Sequence, residues 1–114
     1  MTLEAFKQKL KNTPKSIVFS DTVDTIESLY EFTKTAFTNG NLKNKAGENS
    51  GSCKLFAFAK LQGFTKEETL SCFGQFYYID VLGDPEGDGH QNIRNFMKTG
   101  FEGLKFEGEP LKLK

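Results

Sequence analysis

The sequence predicts a mainly α fold: a compact single domain of about five short helices with at most a small β element. Three observations carry that expectation. The 114 residues are one domain's worth of chain, enough to bury roughly two-thirds of the unfolded surface. Twelve phenylalanines and three tyrosines stand in a chain that is only 37% hydrophobic, so the core must be aromatic; each buried ring removes about 150–250 Å² from water. Apolar residues also recur at helical spacing in short runs, each bounded by a capping residue, a glycine or a proline.

The first run covers residues 3–11, with Leu3, Phe6 and Leu10 on one face and Thr2 as N-cap. Lys7, Lys9 and Lys11 fall on the wet side and towards the C-terminus, where cations suit the helix dipole. Pro14 follows and breaks the pattern; Ile17-Val18-Phe19 is too short to assign. Ser20 or Asp21 then caps a second helix running to about Glu31, with Val23, Ile26, Leu29 and Tyr30 as its stripe. Its outer residues Asp24, Glu27 and Glu31 are all acidic; a solvated face is the default reading of this side and of the basic side of the first helix, and the two facing each other is the alternative. Thr33 and Thr35 predict an extended segment over 32–37, Asn39-Gly40 a turn over 38–41, and the polar stretch 40–51 a loop.

Ser52 reads as the N-cap of a helix over 53–62. That helix is apolar nearly all round (Leu55, Phe56, Ala57, Phe58, Ala59, Leu61), which assigns it to the middle of the domain, and Gly63 ends it. Thr65 and Glu68 form a capping box for a helix carrying Leu70, Cys72 and Phe73 and ended by Gly74. Residues 75–82 read as a short helix or an irregular buried segment, and 83–89 as a loop. A helix over 90–99 turns Ile93, Phe96 and Met97 inward and closes at Gly100. Residues 101–106 alternate as one short strand or strap, and 108–114 are expected to fray.

Charge and cysteine content narrow the function. Fifteen basic residues balance fifteen acidic ones, which excludes a nonspecific nucleic-acid coat. No apolar run has the length of a signal peptide or a membrane helix, so a soluble protein made in the cytosol is expected, with secretion left open only by a route without a cleaved signal. Cys53 and Cys72 are too few for a disulfide scaffold and sit among apolar neighbours, as reduced thiols in a cytoplasm would.

Several blocks carry a family resemblance: Phe19-x-Asp21-Thr22, Thr35–Gly40, Gly51–Ala59, Cys72-Phe73-Gly74 and the long His90–Gly100. Together they resemble the HopJ type III effector family, small bacterial proteins of about this length, over essentially the whole chain. Lys34 and Phe101 depart from that pattern, standing where the family carries a proline and a tryptophan. The resemblance implies a bacterial protein whose family is named for entry into host cells through type III secretion. It brings no established activity and no catalytic residues. The N-terminus reads as an ordered amphipathic helix and not as the Ser-rich unstructured export signal, which favours the bacterial cytoplasm, with type III secretion as the other location.

Three constellations could carry chemistry. Cys53 opens a helix, where free amides favour thiolate, and His90 is the one histidine available to pair with it; Asp80, Asn92 or Asp88 could orient the imidazole. Asp84-x-Glu86-x-Asp88-Gly89 imitates the first half of a calcium loop but meets Asn95 where the bidentate glutamate belongs, so no metal is expected. The polar face of the 90–99 helix carries His90, Asn92 and Arg94, which either form an anion or carbonyl site or tie down loops 38–51 and 83–89. The expectation is a non-enzymatic binding module using Asn39, Asn49, His90, Asn92 and Arg94, with no cofactor. Its partner is a protein, in a host cell if the chain is exported, and the chain itself is a monomer or weak dimer. The alternative is a small cysteine-dependent hydrolase or transferase using Cys53 and His90.

Overall fold

The computed structural model describes residues 1–114. Five α-helices, α1 (Leu3–Asn12), α2 (Phe19–Leu29), α3 (Ser50–Gln62), α4 (Lys66–Ser71) and α5 (Gln91–Thr99), are joined by a π-helical segment, Phe76–Val81. Five short strands complete the fold: β1 (Tyr30–Phe32), β2 (Phe37–Asn39), β3 (Leu42–Asn44), β4 (Leu104–Phe106) and β5 (Leu111–Leu113). The mainly α expectation holds, with more β structure than one strand.

Helix α3 is the axle. Cys53 and the unbroken run Leu55–Ala59 are buried, and Cys53 with Leu55–Phe58 belongs to one cluster of 18 buried residues. Phe56 sits at its centre, with ring centroids 4.9 Å from Phe96, 5.4 Å from Phe73 and 6.3 Å from Phe37. Helices α1 and α2 pack beside it, bound to each other by Lys9 and Asp21 at 3.0 Å, while Glu27 reaches Lys54 at 3.2 Å. Thr65 and Glu68 form the reciprocal cap of α4 at 3.1 and 2.8 Å.

Several boundaries differ from the sequence reading, each for a local reason. Helix α2 starts at Phe19, earlier than Ser20 or Asp21, because Gln75 accepts the Phe19 amide at 2.9 Å from across the fold. It stops at Leu29, and Tyr30 to Phe32 turn into strand. Helix α3 starts at Ser50; Asn49, not Ser52, is its N-cap, in the left-handed region. The 40–51 loop contains strand β3, and Asn39 belongs to β2, so the turn is only Gly40-Asn41, with Gly40 at φ 63°.

The tail is the largest correction. Residues 108–114 do not fray: Leu111–Leu113 pairs antiparallel with β1, and Leu111 is buried. Strand β4 pairs with β2, which also holds β3. Tyr30 faces Leu113 and Phe37 faces Phe106, so both pairings keep one register. Residues 30–39 and 104–113 are therefore a single antiparallel ribbon interrupted at its middle. In one half the bonds are Thr33 N–H to Pro110 O (2.8 Å) and Lys114 N–H to Leu29 O (3.0 Å). In the other they are Glu107 N–H to Ala36 O and Gly40 N–H to Gly103 O, both 2.9 Å. Bonded positions change from odd to even numbers across the interruption. That reset keeps Tyr30, Phe32, Phe37 and Asn39 all on the inner face.

Candidate functional site

Helices α3 and α5 start side by side and open onto a cleft of about 440 Å³. Phe19, Phe73 and Phe76 give it an apolar floor; Asn49, Gly51, Ser52, His90 and Gln91 form its polar rim. The Phe19 and Phe73 rings stack at 6.1 Å, and Phe76 lies 5.1 Å from Phe19. Gly51 fits because a Cβ there would stand 3.0 Å from the Phe19 ring.

The rim has an unusual backbone. Asn49 (φ 51°) and His90 (φ 55°) are the only non-glycine residues of the chain with positive φ. They are the N-caps of α3 and α5, and neither side chain caps its helix. The amides of Ser50, Gly51, Ser52, Gln91 and Asn92 have no acceptor in the protein. A left-handed conformation at a side-chain-bearing residue costs on the order of 1–2 kcal/mol, and here it occurs twice at one cleft. The π-helical segment borders the same cleft through Phe76, a geometry that in other proteins gathers at functional sites.

His90 is held on two sides. Its ring stacks on Phe76 at 5.1 Å, and Nε2 lies 3.0 Å from Asp80 Oδ2. Of the three residues expected to orient the imidazole, Asp80 is the one in contact. Asn92 and Arg94 serve the loops. Asn92 Nδ2 donates to Asn44 Oδ1 at 3.0 Å, and Asn92 Oδ1 accepts from Asn39 at 3.0 Å and from Asn44 at 3.3 Å. Asn49 donates to the same Asn44 oxygen at 2.7 Å. Asn39 is fully buried; its amide nitrogen also reaches Asn92 O at 2.7 Å, and its Oδ1 is the one buried side-chain polar atom without a partner. The Arg94 guanidinium bonds the carbonyls of Asp84 (2.9 Å), Pro85 (3.4 Å) and Gly89.

The calcium-like loop is thus organised around an arginine. Asp84, Glu86 and Asp88 do not converge with one another into a metal-ligating group, and the loop carbonyls a cation would need face Arg94 instead. Among the expected binding residues, Asn49 and His90 reach the open rim, Asn92 lines the cleft, Asn39 is buried away from it, and Arg94 sits outside it against the 83–89 loop. Sequence reasoning missed Phe19, Phe73 and Phe76 as the floor. Phe19 stood on a run too short to assign, Phe73 at the end of the helix begun by Thr65, and Phe76 on a segment read as helix or irregular, so no local pattern brought the three together.

Cys53 does not join the rim. It is 1% exposed, and its thiol donates to Thr35 O at 3.7 Å, not to His90. Burial pushes its pKa up from 9.0 to about 11. Cys72 is pushed higher still, by burial first and then by the Glu68 charge. These are the opposite of an activated thiolate. Native protein at neutral pH is expected to leave Cys53 unlabelled by iodoacetamide, while urea-unfolded protein reacts fully; mass spectrometry reads both. The same shift has a stability sign. Above pH 9.0 the unfolded thiol ionises while the folded one stays protonated, so stability falls as pH rises towards about 11. Urea midpoints measured across that window check it against a Cys53→Ala control.

Residues 3–111 match the family described as HopJ type III effector protein. The chain belongs to that family. A solved structure described as "Crystal structure of unknown function protein VPA0580" is similar at 54% identity, covering 100% of this chain and 95% of the other, with a TM-score of 0.97. A comparison with curated proteins found no match. This HopJ-family chain has no helix long and apolar enough to cross a membrane.

Proposed function

We propose that this HopJ-family protein is a non-enzymatic binding module that receives its partner in the cleft between the starts of α3 and α5. The observation that carries the reading is the coincidence, at one 440 Å³ cleft, of the chain's two left-handed non-glycine residues. Both helix ends there are uncapped by side chains, and the floor between them is phenylalanine. Donors on a rim and rings on a floor suit a group that couples acceptor oxygens to an apolar body. A protein side chain or chain end of that kind fits. Export through a type III system, the property in the family's description, would put that protein in a recipient cell.

Phenylacetate is a minimal probe. Added to ¹⁵N-labelled protein, it is expected to shift the amides of Gly51, Ser52 and Gln91 saturably, with benzyl alcohol weaker because it lacks the carboxylate. Ser52→Trp, which fills the cleft from its rim, is expected to abolish the response. Shifts that persist unchanged in Ser52→Trp, or none at saturating probe, would overturn the reading. A reporter fused to the segment through α2 tests location separately, by export that depends on a working type III apparatus.

A further inference from the structure

The second surface lies on the far side of α3 and is independent of the cleft. We propose that the free edge of strand β5, where it borders α3, takes an extended acidic segment of a partner protein as an added strand.

The register makes that edge available. Bonds from Thr33 to Pro110 and from Lys114 to Leu29 turn the backbone groups of 110, 112 and 114 towards β1. Strand alternation then points the N–H and C=O of Leu111 and Leu113 outward, and the chain offers them no partner. A groove of about 650 Å³ runs along this edge. Its walls include Ala57 and Leu61 of α3 on one side, and Phe106 and Leu113 of the ribbon on the other. Leu61 and Leu113 are 59% and 68% exposed, large apolar side chains left in water at facing walls.

The charges select the occupant. Lys60 and Lys112 line the groove with Glu109 as its one lining acid; Glu31 faces Lys112 across the β1–β5 pairing, and Lys114 follows, so lysines outnumber acids three to two along the edge. A second copy of this chain, pairing its own β5 antiparallel, would set lysines against lysines, which cross-strand neighbours disfavour. A segment with apolar residues at alternate positions would lay them over Leu61 and Leu113. Acids between them would project beside Lys112, on the outer face of the ribbon.

The test uses the full chain and a short synthetic peptide alternating valine and glutamate, with a valine–lysine peptide as control. Expected are saturable binding by fluorescence anisotropy and new hydrogen-exchange protection at the Leu111 and Leu113 amides. Lys112→Glu is expected to weaken the acidic peptide about tenfold, or about 1.4 kcal/mol. Leu113→Pro, which deletes one outward N–H at an exposed position, is expected to abolish binding while circular dichroism stays native. The proposal is overturned by equal binding of the lysine peptide. It is overturned equally by unchanged exchange at Leu111 and Leu113 under saturating peptide. Protection that grows with protein concentration alone, alongside a dimer in light scattering, also overturns it by making a second copy the occupant.

Discussion

Phe56→Ala is expected to lower the unfolding free energy by about 3–5 kcal/mol, a large part of the stability of a domain this size. Phe56 is fully buried and touches rings from three other parts of the chain: Phe37 on β2, Phe73 after α4 and Phe96 on α5. Truncation removes the ring's transfer free energy and leaves a void whose walls are themselves rigid aromatic rings, which collapse poorly. Leu61→Ala is the matched control. It lies on the same helix but is 59% exposed, so a change within about 0.5 kcal/mol is expected. Urea denaturation of both variants decides the matter. If Phe56→Ala costs no more than Leu61→Ala, α3 is not the axle of the fold, and the surfaces assigned on either side of it lose their basis.

How much of this was legible follows from the range of each signal. Helix α3, the Thr65–Glu68 box and α5 were readable because their patterns are local: one turn predicts the next. The ribbon was not. Each strand has three residues, too few for period-two alternation to register, and the partners of 30–32 lie at 111–113. What specifies that pairing is a shared register across the whole fold, invisible to any window. The tail looked frayed because a chain end carries no local sign of its partner, whereas the Pro110 carbonyl accepts from Thr33.

The site was half legible for the same reason. His90, Asn92 and the 38–51 stretch were identified as chemistry-bearing by residue type, and Asn49, His90 and Asn92 do meet at one cleft. Residue type could not say which face outward. Ser52 looked like a cap because serine commonly is one; the helix begins earlier because Gly51 lets its first turn pack against Phe19. Cys53 looked activated by its place at a helix start, but the helix begins three residues earlier, at Ser50, and the Cys53 side chain falls among the core rings. A helix-start thiol is reactive only when it is also wet.

Asn92→Ala tests the connection between core and cleft. Asn92 is the buried hub through which α5 holds the β2–β3 hairpin: its side chain bonds both Asn39 and Asn44, and Asn44 in turn receives Asn49 from the cleft rim. Deleting the Asn92 amide strands polar groups on Asn39 and Asn44 in a water-poor space, at about 1–3 kcal/mol for each group left unpaired, so a loss of about 2–4 kcal/mol is expected. Asn44→Ala alone is expected to cost a similar amount, but the double variant should cost less than the two together. The shared bonds can be lost only once, and a coupling of about 1–2 kcal/mol is expected from urea titrations of the four proteins. Amide exchange should accelerate in the β2–β3 hairpin of Asn92→Ala before it does in α3, because the hairpin loses its tie while the phenylalanine cluster keeps its contacts. Strictly additive costs, or exchange that rises uniformly through the chain, would mean that the asparagines are separate solvated groups and that the cleft rim stands without them.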